Sequence, residues 1–340
     1  MSNQWRITLP IYDPKTLDNS TVGTFSDCPR LGLFRYGMRR GFGGKNWPIQ
    51  FGLGYHKYRE VLEEEIEGSG MLTDTEHETA LNAALDGFIE PPADHRHAFL
   101  TSTRLIQSCT HARLKVEKER KAGQILVTQS EDSFDLSLPF EICHDCGWGR
   151  YLSKDREGQT YCPQCGGEEI HSSSHGGRVD QHITWQGQQL VRDFKTTSRM
   201  GPRYWHKYSP NGQLSGYVWS GQQLSGRKFG GAMVEVLYNT KNEGPIIKQQ
   251  LITRSPGSIT QWEASMYWEH RFIRMMFAAK EEMGYLAFPQ RTNHCSAYSG
   301  CAFRDACQSE SGADIEKWLE NYTLYSHWDF TDPDKETSKE

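Results

Sequence analysis

The chain of 340 residues is 36% hydrophobic and 12% aromatic, and its formal net charge is −5. These proportions allow a packed core in one large domain or two smaller ones, and the negative charge argues against a simple polybasic nucleic-acid binder. No apolar run approaches the length of a membrane span, and the first residues lack the order of a signal peptide. We therefore expect a cytoplasmic protein that makes no contact with a membrane.

Basic residues are concentrated in two stretches that contain no acid. Seven Lys or Arg residues lie between Cys28 and Arg59, and six lie between Phe194 and Lys228. The second stretch also carries aromatic residues, a combination that suits contact with a phosphate backbone and stacked bases. A solvated basic surface is the alternative. The residues that we predict to bind DNA are Arg199, Arg203, Tyr204, Trp205 and Lys207.

Helices are predicted throughout the first third of the chain. A helix start is expected around Cys28, with Ser26 or Asp27 as the cap and Pro29 early in the helix. The spacing of apolar residues then predicts helices over 50–67, 73–88 and 101–121. The first of these three has a broad apolar face, formed by Phe51, Leu53, Tyr55, Tyr58, Leu62 and Ile66.

Two strands, predicted over 124–128 and 134–142 from their alternating pattern, lead into a pair of CxxC motifs. Cys143, Cys146, Cys162 and Cys165 have the spacing of a zinc ribbon, in which four thiolates hold a structural zinc ion tetrahedrally. Gly147 and Gly166 each follow a pair and let the backbone turn towards the sulfurs. A redox-active CxxC is the alternative, but two matched pairs argue against it.

The next segment, from Gly177 to Ser198, contains a predicted hairpin with strands Val179–Trp185 and Gln189–Phe194. Asp180 opens the first strand. The second ends in Asp193-Phe194-Lys195, and alternation places Asp193 and Lys195 on the same face, with Phe194 in the packing. Two carboxylates and an ammonium group at one sheet edge predict a site for a divalent cation such as Mg²⁺. Ordinary surface charges on an exposed hairpin are the alternative.

Beyond the hairpin, a helix is predicted over 213–224, with Gln213 and Tyr217 one turn apart and able to face the same site. Strands over 230–238 and 246–253 and a long helix over 258–283 follow. Nine cysteines in a reducing compartment are not expected to form disulfides. Cys109 is expected to be a small buried residue within its helix.

The motifs GRVD at Asp180, DFKT at Asp193 and QLxxY at Gln213 resemble the PD-(D/E)XK nuclease superfamily, specifically its RecB-type branch with an iron–sulfur cluster. The resemblance implies an α/β fold with a mixed central sheet flanked by helices, and a metal-dependent DNA nuclease. The resemblance implies that His56, in Gly54-Tyr-His56, binds Mg²⁺ or Mn²⁺ together with the two aspartates. It also implies a glutamate ligand, which would be Glu131 or, as the alternative, Glu141. Lys195 would position or activate water, and Gln213 and Tyr217 would orient Lys195 or the nucleic-acid backbone.

The remaining cysteines also match this branch, in which one N-terminal and three C-terminal thiolates clamp a cluster. Cys28, Cys295, Cys301 and Cys307 would therefore hold a [4Fe–4S] cluster. Four thiolates suit zinc as well as iron–sulfur, so zinc is the alternative at this second set.

The sequence thus divides into a helical part with the first strands (1–142), an inserted zinc ribbon (143–166), a catalytic core with the cluster segment (167–310), and a final helix and disordered tail (311–340, disordered from Thr331). Similar enzymes act as exonucleases on DNA ends or single strands in recombination, repair or replication, with helicase or recombination partners. A catalytically silent DNA-binding accessory protein is the alternative. An iron–sulfur redox enzyme is disfavoured because no nucleotide or flavin motif is recognisable.

Overall fold

A computed structural model describes residues 3–13, 16–41, 46–69, 72–152, 161–296 and 300–324. The helices are α1 (Asn19–Asp27), α2 (Pro29–Gly32), α3 (Trp47–Ser69), α4 (Asp74–Leu85), α5 (Ser102–Lys121), α6 (Gly212–Ser225), α7 (Pro256–Ala278), α8 (Lys280–Met283), α9 (Arg304–Cys307) and α10 (Gly312–Leu319). The strands are β1 (Thr16–Asp18), β2 (Arg40–Gly41), β3 (Ile125–Cys143), β4 (Gly149–Tyr151), β5 (Ile170–Trp185), β6 (Gln188–Thr197), β7 (Phe229–Tyr238), β8 (Ile246–Thr253) and β9 (Thr323–Leu324). The tail predicted to be disordered lies outside the described residues.

The chain forms two compact units. Unit 1 contains Met1–Gly43, Phe134–Gly177 and Thr260–Glu340, and unit 2 contains Gly44–Ser133 and Arg178–Ile259. The long strands β3 and β5 each begin in one unit and end in the other. The ribbon cysteines fall in unit 1, and the predicted catalytic residues fall in unit 2.

Unit 2 is built on a mixed sheet, as the fold prediction requires. Strands β5 and β6 form the antiparallel hairpin, β6 and β7 are parallel, and β7 and β8 are antiparallel. Gln186 and Gly187 join the hairpin with φ values of 49° and 79°, and positive φ at both central residues gives the turn that matches strand twist. The parallel pair needs a crossover, which α6 supplies between β6 and β7. The predicted α/β class with a mixed sheet and flanking helices is therefore confirmed.

Helices α3, α4 and α5 pack around a core of aromatic and aliphatic side chains that includes Phe194 from β6. Five of the six residues predicted for the apolar face of α3 are buried there. Leu53 is the exception, because its side chain is 53% exposed. The other five follow intervals of three and four residues, whereas Leu53 is two positions from Phe51 and Tyr55 and so points to the opposite side of the helix.

Some predicted boundaries differ from the structure. The two strands predicted over 124–128 and 134–142 are one strand, β3, with Glu131 near its middle at a φ of 49°. Strand β5 begins at Ile170, nine residues earlier than the predicted start at Val179. The single long helix predicted over 258–283 is divided into α7 and α8.

Unit 1 contains the remaining short strands and a second aromatic core. Strand β1 pairs in parallel with the start of β5, β4 pairs with the end of β3, and β2 pairs with β9. Pro29 is the first residue of α2, as predicted, but neither Ser26 nor Asp27 is its cap, because α1 extends through Asp27 and Cys28 is the cap residue. No helix in the described ranges is both long enough and apolar enough to cross a bilayer.

One buried carboxylate connects five elements of unit 2. Glu235, on β7, is fully buried, and both of its oxygens are bonded. Oε1 accepts hydrogen bonds from Arg59 Nη1 at 2.7 Å and from the Tyr55 hydroxyl at 3.3 Å. The other polar partners of Glu235 are Lys115 on α5, Arg192 on β6 and Gln249 on β8. We call these six residues the Glu235 network.

The network sets one carboxylate among three cationic side chains, and these also contact two further acids, Glu63 and Glu119. Burial by itself raises the pKa of Glu235, but Arg192, Arg59 and Lys115 outweigh it and hold the pKa well below its ordinary value. The carboxylate is therefore ionised at neutral pH. Removing one member of such a buried group leaves the others as uncompensated charges.

We expect Glu235→Gln to lower the free energy of unfolding by about 3–5 kcal/mol, because the cations lose their common counter-charge. Denaturation followed by circular dichroism measures this. Since the folded-state pKa is depressed, the stabilisation is present above the ordinary glutamate pKa of 4.5 and is lost as the pH falls through the lower folded value. Glu243→Gln, at an exposed glutamate, is the matched control. Equal midpoints for the two variants would contradict the prediction.

Candidate active site and cysteine clusters

The hairpin places the two aspartates of the motif on adjacent strands. Gln181 lies opposite Arg192 in the β5–β6 register, so Asp180 and Asp193 occupy the next pair of positions. Neighbouring cross-strand residues have their Cβ atoms about 5 Å apart. Two carboxylates at this separation repel each other, and such a pair persists when cations compensate it.

Cations and donors surround the pair. Lys195 Nζ lies 2.8 Å from Asp193 Oδ1, as alternation along β6 predicts. His56 Nδ1 lies 3.5 Å from Asp180 Oδ1, and the backbone N–H of Phe194 donates to Asp180 Oδ2 at 2.6 Å. Within the described residues, the buried Asp193 Oδ2 has no hydrogen-bond partner. This oxygen is therefore available for an additional ligand.

The two aspartates differ in their acidity. Burial raises the pKa of Asp193, and the charge of Asp180 adds to this effect against the opposing influence of Lys195. Burial also acts on Asp180, but His56 and Lys195 outweigh it and lower its pKa. For Lys195, burial lowers the pKa, but the two carboxylates prevail and raise it. The lysine is therefore an ammonium ion at neutral pH.

Helix α3 positions His56. A Cβ atom on Gly54 would lie 2.9 Å from a methyl carbon of Leu105 and 3.1 Å from the backbone oxygen of Ala84. The helix therefore approaches α4 and α5 as closely as it does because this position is glycine. Burial lowers the pKa of His56, but Asp180 prevails and raises it.

Glu131 is engaged by an arginine that the sequence analysis did not single out. Arg178 Nε donates to Glu131 and its Nη2 lies 3.6 Å from Glu60. Burial, together with the charge of Asp180, raises the pKa of Glu131 to about 7. The alternative acid, Glu141, belongs to unit 1 and accepts bonds from Arg150 at 2.9 and 3.1 Å.

The remaining predicted site residues lie on α6 and on the loop before it. Gln213 Nε2 donates to the Tyr217 hydroxyl at 2.9 Å, so the two side chains share one side of α6. In the loop, residues 204–208 form a 3₁₀ turn with Lys207 Nζ 3.9 Å from the centre of the Tyr204 ring. Arg199, Arg203 and Lys207 are exposed, whereas Tyr204 and Trp205 are partly buried with ring centres 5.4 Å apart.

The donor set fits a hard divalent cation. Mg²⁺ takes one or two protein carboxylates and completes its shell with water and substrate phosphates. The buried, unpartnered Asp193 Oδ2 and the ionised Asp180 supply such oxygens. Among the described residues, these carboxylates and His56 do not form a group with all ligand atoms within 4.8 Å of one another, so they do not constitute an all-protein cage.

The four ribbon cysteines, in contrast, converge tightly. Their ligand atoms lie within 4.8 Å of one another, and the Cys143–Cys165 and Cys146–Cys162 sulfur pairs are 3.7 and 3.6 Å apart. Tetrahedral coordination with Zn–S bonds of about 2.3 Å requires sulfurs about 3.8 Å apart. The donor set therefore fits one zinc ion.

The two CxxC turns of the ribbon have the same geometry. Gly147 and Gly166 both have a φ of 73°, and their N–H groups bond to the carbonyl oxygens of Cys143 and Cys162 at 2.9 and 2.8 Å. A side chain at Gly147 would also collide with Met275. These are the positions at which the sequence predicts that the backbone turns around the sulfurs. Residues 153–160, between the two turns, lie outside the described residues.

The sulfur atoms of the second cysteine set, Cys28, Cys295, Cys301 and Cys307, converge less tightly than those of the ribbon. Burial raises the pKa of Cys307 to about 12, and the thiols of Cys28, Cys301 and Cys295 act in the same direction against Arg30. Within the described residues, no three of them come within 4.8 Å of one another. In a [4Fe–4S] cluster each of the four thiolates binds a different iron atom. A wider set therefore fits a cluster better than a single zinc ion.

The buried residues around these centres were missed by the sequence analysis. Arg30 donates to the backbone oxygens of Tyr285 and Phe288 at 2.6 and 2.9 Å, beside Cys28 and Cys307. Arg192 and Glu235 stand within apolar strand sequences. A charge within an apolar run is the signal that could have revealed the last two.

Comparisons with solved structures and curated proteins give only weak matches. The crystal structure of a protein described as a "Putative exonuclease", from Eubacterium rectale, is 13% identical, with a TM-score of 0.44 over 83% of this chain and 86% of that one. The structure of SSO0001 is 10% identical, with a TM-score of 0.22 over 63% and 73% of the two chains. Both similarities are too weak to support a conclusion. No curated protein matches the sequence.

The family model of the PD-(D/E)XK nuclease superfamily matches residues 19–308, most of the chain, including both aspartates, the lysine and α6. PD-(D/E)XK nucleases use divalent metal ions. The chain therefore belongs to the PD-(D/E)XK nuclease superfamily, and it is a hydrolase of phosphodiester bonds.

Proposed function

We propose that the protein is a DNA nuclease that depends on Mg²⁺ or Mn²⁺ and has its active site at Asp180, Asp193 and Lys195. The observation that carries this proposal is the pair of cross-strand aspartates with one buried, unpartnered oxygen on Asp193 and an ammonium group 2.8 Å from the other. Catalytic centres commonly hold titratable groups whose pKa values are displaced by burial and by one another.

Asp180 and Asp193, with His56 and Glu131 beside them, would hold the cation. A bound divalent ion neutralises the scissile phosphate and lowers the pKa of a bound water molecule. In hydrolysis the water oxygen bonds to phosphorus, the bond from phosphorus to one ester oxygen breaks, and that oxygen takes up a proton. Lys195 is charged, so it would orient the water and stabilise charge on the phosphoryl oxygens and would not remove a proton.

Gln213 and Tyr217 would orient Lys195 or the DNA backbone from α6. The exposed Arg199, Arg203 and Lys207 would contact phosphates, and Tyr204 and Trp205 would stack on bases. Action as an exonuclease on ends or single strands, in recombination, repair or replication with a helicase or recombination partner, follows from the resemblance to the RecB-type branch. The nine free cysteines accord with a reducing compartment such as the cytoplasm.

The alternative that the sequence left open, a catalytically silent DNA-binding accessory protein, conflicts with the family assignment. The lysine and both aspartates of the motif are present, which favours the enzyme. The test below separates the two candidates.

We expect Lys195→Ala to lower DNA cleavage at least about 100-fold, because one charge-stabilising donor is lost, and Asp193→Asn to abolish it. Purified protein is incubated with end-labelled single- and double-stranded DNA in Mg²⁺, Mn²⁺ or EDTA. DNA binding, measured in EDTA, should persist in both variants. Lys241→Ala, at an exposed lysine, is the control. Cleavage that survives in both variants would refute the assignment, and a wild-type protein that binds DNA without cutting it would favour the accessory protein.

We further propose that the ribbon cysteines hold one zinc ion, which the sulfur separations support. Elemental analysis after a brief EDTA treatment should find one zinc ion per chain at this site. Cys143→Ser and Cys162→Ser should each lose it, because a closed structural site needs all four thiolates. Cys109→Ser, at a buried cysteine of unit 2, should retain it. A treated wild-type protein that contains no zinc would count against this site.

We also propose a [4Fe–4S] cluster at Cys28, Cys295, Cys301 and Cys307, with the wider spacing and the neighbouring Arg30 as support. Protein purified anaerobically should be brown, and a Cys→Ser change at any of the four positions should remove the colour. Cys109→Ser should keep it. If the wild-type protein is colourless and each of these four changes removes a zinc ion, the second cysteine set is a zinc site and not a cluster.

A further inference from the structure

Three further metal-binding side chains converge next to the zinc ribbon. His144, Glu169 and His171 each offer one ligand atom, and these atoms lie within 4.8 Å of one another. His144 is half-buried, whereas Glu169 and His171 are exposed. None of the three belongs to the ribbon's thiolate set or to the active site.

The fold explains why they meet. His144 directly follows the last residue of β3, and Glu169 and His171 flank Ile170, the first residue of β5. The N–H of His144 donates to the carbonyl oxygen of Glu169 at 2.8 Å, which fixes the two segments side by side. Residues two apart in extended chain face the same way, so Glu169 and His171 both point towards His144. The two imidazole rings have their centres 4.9 Å apart at 75°.

We propose that His144, Glu169 and His171 form a second metal site on the ribbon, for a divalent transition-metal ion such as Zn²⁺. Imidazole ligands suit zinc, copper, iron and nickel, whereas carboxylates and carbonyl oxygens without nitrogen suit magnesium and calcium. The site therefore differs in metal preference from the active site, whose donors are mainly oxygen. Three protein ligands leave a coordination position for water or another ligand.

The exposure of the site separates it from the thiolate site nearby. Two of its three ligands are exposed, so the ion can exchange with solvent, whereas the ribbon offers four thiolates, of which Cys143 and Cys162 are buried, and leaves no open position. A brief chelator treatment should therefore empty the histidine site and leave the ribbon zinc in place. That difference makes the two sites separable in one protein.

The test is calorimetric titration of Zn²⁺ into the full-length protein after brief EDTA treatment and desalting. Wild-type protein should bind one more equivalent than His171→Ala. Glu169→Gln, which keeps both imidazoles, should bind the same number as wild type with an affinity at least about tenfold lower, since even outer-shell changes cost 10–100-fold. His111→Ala, an exposed histidine on α5 of unit 2, is the matched control and should behave as wild type.

Two further measurements keep the result unambiguous. Elemental analysis must show that His171→Ala retains the ribbon zinc, because this excludes local unfolding as the cause of a lost equivalent. Co²⁺ added in place of Zn²⁺ should give visible absorption bands that disappear in His171→Ala, without the sulfur-to-cobalt bands of a thiolate site. Equal stoichiometry and equal affinity in wild type, His171→Ala and Glu169→Gln would overturn the proposal and leave the two rings as an aromatic contact alone.

Discussion

The group of ion pairs around the buried Glu235 carboxylate is the constraint on which the placement of the candidate active site depends. The carboxylate bonds to Tyr55 and Arg59 of α3 and to Arg192 of β6. On β6 the next residue faces the other side of the sheet, so Asp193 lies on the face opposite Arg192. On α3 the next residue is turned by about 100°, so His56 lies beside the network side chains of Tyr55 and Arg59. The same two elements therefore carry both the network and residues of the candidate site. A helix that is tied to a sheet by a buried ion group has little freedom to shift, and catalysis requires residues held to within about 0.5 Å.

This arrangement also explains how the protein accommodates two carboxylates on adjacent strands. The charge of Glu235 is satisfied entirely within the network, so Arg192 does not compensate Asp193 although the two are neighbours in sequence. Asp193 accepts a hydrogen bond from Lys195, while Asp180 has both His56 and the N–H of Phe194 beside it. Hence the two pKa values move in opposite directions. Divergent pKa values in one pair of acids are a recurrent property of catalytic sites.

Local sequence predicted much of this site because its geometry is itself local. The Asp193–Lys195 contact follows from alternation along one strand, the Gln213–Tyr217 bond from one helical turn, and the φ of 73° at Gly147 and Gly166 from the CxxC turns. The assignment of these residues to catalysis remains a prediction.

The features that were missed depend on residues distant in sequence. Arg59 and Glu235 are 176 positions apart, and Arg192 and Glu235 are 43 apart. Nothing in the periodicity of α3 shows which buried cation will meet which strand. The exposure of Leu53 was misjudged for a different reason: an aliphatic residue was assigned to the apolar face by its type, against its angular position on the helix. The convergence of His144 with Glu169 and His171 likewise arises only when β3 and β5 are brought together.

The two proposed metal centres would differ in their consequences for stability, since they would close loops of different length. The ribbon ligands span Cys143 to Cys165, whereas the other set joins Cys28 to Cys307 across most of the chain. The entropy cost of closing a loop rises with the logarithm of its length, and metal binding that requires a folded site adds to the free energy of folding. The proposed centre at the second set would therefore tie the first segment of unit 1, which contains Cys28, to its last segment, which contains Cys295, Cys301 and Cys307. Loss of the ribbon metal, by comparison, should release only the segment between β3 and β5.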